Sequence, residues 1–413
     1  MSVGGPRYRW IILGIATFAQ AASAFFVQGI GAMGIHLQRD LNLSTSQLGL
    51  LLSAAQLVPL IGLLVAGELL DRYNERWVVG VGACVVAAGL SMGSMAPGYL
   101  SLLLVLLIVG AGYSTVQPGG SKSVASWFGA SQRGFAMGVR QAGLPLGGAL
   151  SAALLPFLAE TFGWRVTLVA GGLVALLGAG VFMGLYRQPP TPPVLHDRPP
   201  HASLTSRLGA RLRMLRQPSM VKIMLSGTTL ISVQSGVLVL TVLYLHDTTS
   251  VGAGSAALIL VAAQVAGVAG RICLAAWSDR GADRHPTVMA CMAAVIAGMT
   301  ALMTPAGQSP LVACLLFTWL GFFGFGWYGP WVAYVAESAP PAKTGFALGL
   351  AMAVNQIAVI LAPPALGLLT DLTGSFTPAW GLLSAMTAVA LTATARAERL
   401  STGRKRRHET ASL

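Results

Sequence analysis

Residues 54–76 read AAQLVPLIGLLVAGELLDRYNER, and residues 262–280 read AAQVAGVAGRICLAAWSDR. Ala54-Ala55-Gln56, Gly62 and Asp71-Arg72 in the first stretch return as Ala262-Ala263-Gln264, Gly270 and Asp279-Arg280 in the second, every pair 208 positions apart. Further along, Gly134-Phe135-Ala136-Met137-Gly138 returns as Gly345-Phe346-Ala347-Leu348-Gly349 at a spacing of 211, and Gly112 and Pro118 return as Gly324 and Pro330 at 212. A single match is easily met by chance in a chain rich in Ala and Gly. A nearly common register across all of them is not, so the chain is built from two copies of one plan.

Composition says what kind of plan. Charged residues make up 9% of the 413 and hydrophobic residues 54%, whereas soluble domains carry about 25% charge. A soluble protein of this size could not dress its surface, which excludes cytosolic and secreted enzymes and disordered chains. The net charge of +13 would suit nucleic acid, but the basic residues are scattered between apolar runs rather than set on one face; no nucleic-acid partner is expected. Cys84, Cys273, Cys291 and Cys314 all fall in apolar runs without metal-ligand spacing and read as small apolar filler. No G-x-x-x-x-G-K-[ST] loop and no His/Cys/Asp cluster occurs, so neither enzyme activity, cofactor nor metal is expected.

A membrane-crossing helix needs about 20 mostly apolar residues. Twelve such runs can be read, at 10–32, 46–70, 78–96, 99–126, 137–160, 164–186, 219–245, 253–278, 287–304, 309–335, 345–370 and 377–396. The predicted fold is an all-α membrane protein of twelve spans in two six-helix, pseudo-symmetric bundles. An even count places both termini on one side. That side holds Arg7, Arg9, Arg72, Arg76, Arg133, Arg280, Arg284, Lys343 and the basic residues of 187–222 and 396–407, while the other has only Arg39 and Arg165. By the positive-inside rule both termini are expected in the cytoplasm, in an inner (plasma) membrane. The expected domains are a six-helix bundle at 1–186, a cytoplasmic linker at 187–218, a second bundle at 219–396 and a basic cytoplasmic tail at 397–413. The linker opens Pro-rich, then interleaves Arg207, Arg211, Arg213 and Arg216 with Leu208, Leu212, Met214 and Leu215. This reads as a basic helix on the membrane surface or as a solvated charge run. Two repeated six-span halves describe a secondary transporter, with cargo held where the repeats meet.

The loop Gly67-Glu68-Leu69-Leu70-Asp71-Arg72-Tyr73-Asn74-Glu75-Arg76 resembles the G-x-L-a-D-R-x-G-R-[RK] signature of the major facilitator superfamily, and the resemblance extends over essentially the whole chain. It departs at Asn74, where Gly is usual, and at Glu75, where a base is usual. Asn tolerates a left-handed backbone, so the turn should survive. The second copy is Ser278-Asp279-Arg280-Gly281 with Arg284. The resemblance implies that Asp71, Arg72, Arg76, Asp279 and Arg280 gate the protein by bracing helix ends. It also implies that spans 1, 4, 7 and 10 line a central cavity. Gly143, Pro145 and Gly147 in span 5 read as close-packing and bending positions.

Lys122, Arg140 and Arg271 are the basic residues lying well within spans, and a charge there is a site hypothesis by default. All thirteen carboxylates fall in loops, tails or span ends, so these bases lack an evident counter-ion and an external anion should supply it. The same census disfavours efflux of cations. Arg271 lies eight residues before Asp279, and its repeat partner is Leu63, so the fold itself does not require a base there. An arginine in span 8 pairs with the substrate carboxylate in monocarboxylate- and oxalate-type members of the superfamily, and the spacing here looks like theirs. The expected substrate is a small organic anion, a monocarboxylate, carried with a proton (H+) by alternating access. Arg271 and Arg140 would hold its charge; Gln56, Gln264, Tyr113, Gln117, Tyr328 and Asn355 would add contacts. The aromatic run around Trp327, Tyr328 and Trp331 favours a partly apolar anion. The chain is expected to act as a monomer in the lipid bilayer. The alternatives are an exporter of amphipathic compounds and a membrane sensor on a transporter scaffold.

Overall fold

The computed structural model describes residues 7–43, 45–189, 217–249, 251–281, 283–340 and 343–411, and among them it is helical with no strand. The helices are α1 (Tyr8–Gly29), α2 (Gly34–Asp40), α3 (Thr45–Leu57), α4 (Pro59–Arg72), α5 (Glu75–Gly93), α6 (Tyr99–Trp127) and α7 (Ala130–Leu185). They continue with α8 (Pro218–Thr249), α9 (Ala253–Ser278), α10 (His285–Leu302), α11 (Pro310–Gly326), α12 (Tyr328–Ser338), α13 (Thr344–Thr373) and α14 (Thr377–Ala411).

Ten stretches among the described residues are long and apolar enough to cross a bilayer. The two remaining expected spans are present in altered form. The run 46–70 is divided where Pro59 opens α4, because proline cannot donate into the preceding turn; α3 and α4 have 13 and 14 residues. The run 137–160 is one arm of α7, which is assigned as 56 continuous residues. At 1.5 Å per residue, a straight rod of that length would be far longer than a bilayer is thick. It breaks at Gly163, whose φ of 82° is open to glycine at no steric cost. The basic segment of the linker lies outside the described residues. The last candidate span is Thr377–Arg396, and the helix that carries it, α14, runs on to Ala411.

Two compact units are present. The first holds residues 1–196 with 275–280 and 335–357; the second holds 197–274, 281–334 and 358–413. In the first, Phe25, Phe26, Leu51, Leu90, Leu106 and Trp164 belong to one buried apolar cluster. The repeat is visible inside each unit. In the first, a Cβ on Gly110 would lie 2.7 Å from the carbonyl oxygen of Ala55; in the second, a Cβ on Gly321 would collide with the carbonyl of Ala263. Equivalent positions of the two copies thus carry the same close helix approach, which small residues permit.

Candidate functional site

Asp71, near the end of α4, accepts from the amides of Gly345 (2.9 Å) and Phe346 (2.8 Å) in the first turn of α13. Asp279, just past α9, accepts from the amides of Gly134 (2.8 Å) and Phe135 (2.7 Å) in the second turn of α7. All of these residues belong to the first unit. Asp71 satisfies amides that the start of α13 leaves open, and both carboxylates lie near the positive, N-terminal end of the helix they bond. The repeat read at 71/279 and 134/345 is therefore one contact made twice. The arginines stay local. Arg72 pairs with Glu68 one turn back; Arg76 lies over Trp77 at 5.5 Å and Arg280 over Trp277 at 5.3 Å.

Two expectations are corrected here. Asn74 is not left-handed: its φ is −64° and ψ 133°, and its side chain accepts from the Arg76 amide at 2.9 Å. It survives in the place of glycine as the N-cap of α5. Lys122 does have counter-ions. Its Nζ is 3.1 Å from Glu75 and 3.8 Å from Asp71, and it donates to the Leu70 carbonyl. Tyr186 completes the group by donating to Glu75 at 3.2 Å. Lys122 is thus part of the loop cluster and not a cargo residue. A cavity of about 410 Å³ adjoins it, lined by Asp71, Glu75, Lys122, Arg133 and Glu337 among others, and Arg133 and Glu337 lie 3.4 Å apart across it. That pair went unread in the sequence, where 204 residues separate its members.

Arg140 of α7 is 0% exposed. Its Nη1 donates to Ser121 Oγ at 2.9 Å; its Nη2 donates to Gln20 Oε1 (2.8 Å) and to the carbonyls of Val116 (3.0 Å) and Gln117 (2.7 Å). The two carbonyls directly precede Pro118 in α6. Gly120 lets the guanidinium lie flat on α6: a Cβ there would be 2.6 Å from Nε and Nη2. These four acceptors are neutral oxygens.

Arg271 of α9 is 2% exposed. Its Nε donates to the Phe325 carbonyl at 3.1 Å, and its guanidinium carbon lies 5.5 Å from the centre of the Tyr328 ring. The position follows from glycine packing, since a Cβ on Gly270 would collide with the Phe322 carbonyl. Phe325 lies in the last turn of α11, and Pro330 in α12 has no N–H to give the Gly326 carbonyl, where the helix is interrupted at Trp327. Trp327, Tyr328 and Trp331 pack edge-to-face or tilted with centroids 5.0–5.5 Å apart.

The other expected contacts scatter. Gln117 reaches the Arg140 group through its carbonyl. Tyr113 is buried in α6. Gln56 is bonded by Gln356, whose Nε2 donates to its carbonyl at 2.9 Å and to its Oε1 at 3.3 Å. Gln264 is half-buried in α9. Asn355 is 3% exposed, and both polar atoms of its side chain lack a hydrogen-bond partner among the described residues. No group of three or more metal-ligating side chains occurs among the described residues.

The sequence profile of the Major Facilitator Superfamily matches residues 13–363. The probable nitrate/nitrite transporter NarK2 of Mycobacterium tuberculosis (strain ATCC 25618 / H37Rv) is 29% identical, over 92% of this chain and 94% of its own. The hexuronate transporter of Bacillus subtilis (strain 168) is 30% identical over a shorter region, 37% of this chain and 36% of its own. Among solved structures, the proton:xylose symporter XylE bound to 6-bromo-6-deoxy-D-glucose superposes with a TM-score of 0.75 at 17% identity, covering 94% of this chain and 95% of the other.

Proposed function

The chain belongs to the major facilitator superfamily of membrane transporters, and from that premise we propose that it is a secondary active transporter of a small organic anion, a monocarboxylate, moved with a proton by alternating access. The observation that carries this reading is the Arg271 guanidinium, buried in a membrane-spanning helix against the face of Tyr328. A cation is costly in hydrocarbon and is kept where it works. Its repeat partner, Leu63, makes it a feature of the cargo rather than of the duplicated scaffold. Arg140 supplies a second positive field from α7. Gln56, Gln264, Tyr113, Gln117, Tyr328 and Asn355 are the proposed further contacts. The relatives named for hexuronate and for nitrate/nitrite fit an anionic cargo, and a hexuronate carries a single carboxylate.

Asp71 and Asp279 are the proposed gate, together with Arg72, Arg76 and Arg280. The carboxylates form and release helix caps as the protein cycles. The six-helix halves at 1–186 and 219–396, both termini in the cytoplasm, the plasma membrane and a monomeric unit complete the proposal. Reconstitution tests it. Proteoliposomes facing an acidic outside medium should accumulate a labelled monocarboxylate above equilibrium and lose that gain with a protonophore. Accumulation that ignores the proton gradient removes the coupling; no carboxylate flux in either direction removes the cargo class.

A further inference from the structure

Helix α1 presses against α7 through glycines. A Cβ on Gly143 would lie 2.6 Å from the carbonyl oxygen of Thr17, and one on Gly147 would collide with that of Ala21. Gln20 lies between these contacts and is fully buried. Arg140, one turn before Gly143, donates to Gln20 Oε1 at 2.8 Å. A guanidinium only donates, so the amide oxygen must face it and Nε2 must point elsewhere. That Nε2 has no hydrogen-bond partner among the described residues, and neither has the hydroxyl of Ser23, three residues on and also fully buried. Ser23 departs from its kind: Ser114, Ser121, Ser123 and Ser232 each return their proton to the carbonyl four residues back. Buried donors without acceptors are disfavoured, and each one in a native fold calls for an explanation.

We infer that Gln20 Nε2 and Ser23 Oγ are cargo contacts, and that the cargo is a carboxylate bearing a hydroxyl on the adjacent carbon. The inference rests on the anion-transport reading above and narrows its substrate class. An amide N–H₂ is donor-only and takes a carboxylate oxygen. A serine hydroxyl both donates and accepts, which matches a hydroxyl. An ammonium in that place would be repelled by the nearby Arg140 charge. Residues three apart on a helix leave the same face with Cβ atoms about 5–6 Å apart, a span that a carboxylate and its neighbouring substituent bridge. Arg140 is then a positioning residue. It gives its Nη groups to Gln20, Ser121, Val116 and Gln117, fixing the amide and polarising it toward the anion.

The test is calorimetric titration of the purified full-length protein with paired acids, lactate against propionate and glycolate against acetate, with alanine as the amino counterpart. Wild type should prefer the hydroxylated member by about three- to tenfold and bind alanine weakest. In Ser23→Ala the loss should fall on the hydroxylated member and erase the preference. Gln20→Glu, whose new carboxylate can pair with Arg140, should remain monodisperse and weaken every acid by more than about tenfold. Equal losses on both members in Ser23→Ala, wild-type affinity in Gln20→Glu, or no hydroxyl preference in wild type would overturn the inference while leaving anion transport standing. Wild type that binds none of the acids would overturn both.

Discussion

Lys122 of α6 and Glu75 at the start of α5 stand 3.1 Å apart, nitrogen to oxygen, with side chains 15% and 12% exposed. The superfamily's loop signature usually has a base at the position of Glu75. Here an acid stands there, and Lys122 of α6 pairs with it. Removing one partner of a largely buried pair leaves the other uncompensated. Lys122→Glu and Glu75→Lys are each expected to lower stability by about 1–3 kcal/mol and to slow uptake. The double swap should recover only part of both, since a carboxylate at 122 would also face Asp71, measured by thermal unfolding and proteoliposome flux. A swap as damaged as the worse single variant would show that the pair is not the link.

The two caps make a second expectation. Charge-assisted hydrogen bonds contribute about 1.5–3 kcal/mol, and Asp71 and Asp279 each accept two amide hydrogen bonds. Asp71→Asn and Asp279→Asn should alter cycling to a similar degree while cargo affinity changes by less than about twofold. Exchange rates set against equilibrium binding separate the effects; a large affinity loss with normal turnover would contradict the gating role.

Gly345 tests the close approach that these caps require. A Cβ there would lie 2.6 Å from Asp71 Oδ1 and 2.8 Å from the Gly67 carbonyl oxygen. Gly345→Ala should cost about 1–3 kcal/mol by overpacking. Gly14→Ala in α1, where a Cβ meets nothing within 4 Å, should be neutral or stabilise by up to about 1 kcal/mol. Equal melting temperatures for the two variants would refute the distinction.

Much of the fold was legible because two of its signals are coarse. Apolar runs near 20 residues mark spans whatever their detailed packing, and the 208-residue offset located Asp71 and Asp279 as equivalents before their amide partners were known. The structure supplied the partners, and their own repeat offset of 211 had already been visible at Gly134 and Gly345. What escaped the sequence was long-range and angular. Nothing near Lys122 in the chain announces Glu75, 47 positions earlier, because helix ends bring them together. The division at Pro59 was overlooked because hydropathy is blind to backbone hydrogen bonding. Gln20 is another residue whose role the chain order hides. That its oxygen faces Arg140 depends on the register between α1 and α7, which the glycines of α7 set by packing.

The Tyr328 ring gives a graded test of the Arg271 site. A cation over an aromatic face gains about 0.5–2 kcal/mol, and phenylalanine keeps the face. Tyr328→Phe should stay within about threefold of wild-type anion affinity, and Tyr328→Leu should lose about tenfold or more. Equal losses would assign the tyrosine's role to its hydroxyl and not to its ring.

The most direct measurement is equilibrium binding of a monocarboxylate to wild type and to Arg271→Ala and Arg271→Lys, each confirmed as folded by gel filtration and by its unfolding curve. Lysine keeps the charge but not the planar fork that meets a carboxylate with two parallel bonds. Saturable binding to wild type, none detectable in Arg271→Ala and a loss of about tenfold or more in Arg271→Lys are the expected results. Wild-type affinity in a folded Arg271→Ala would contradict the account.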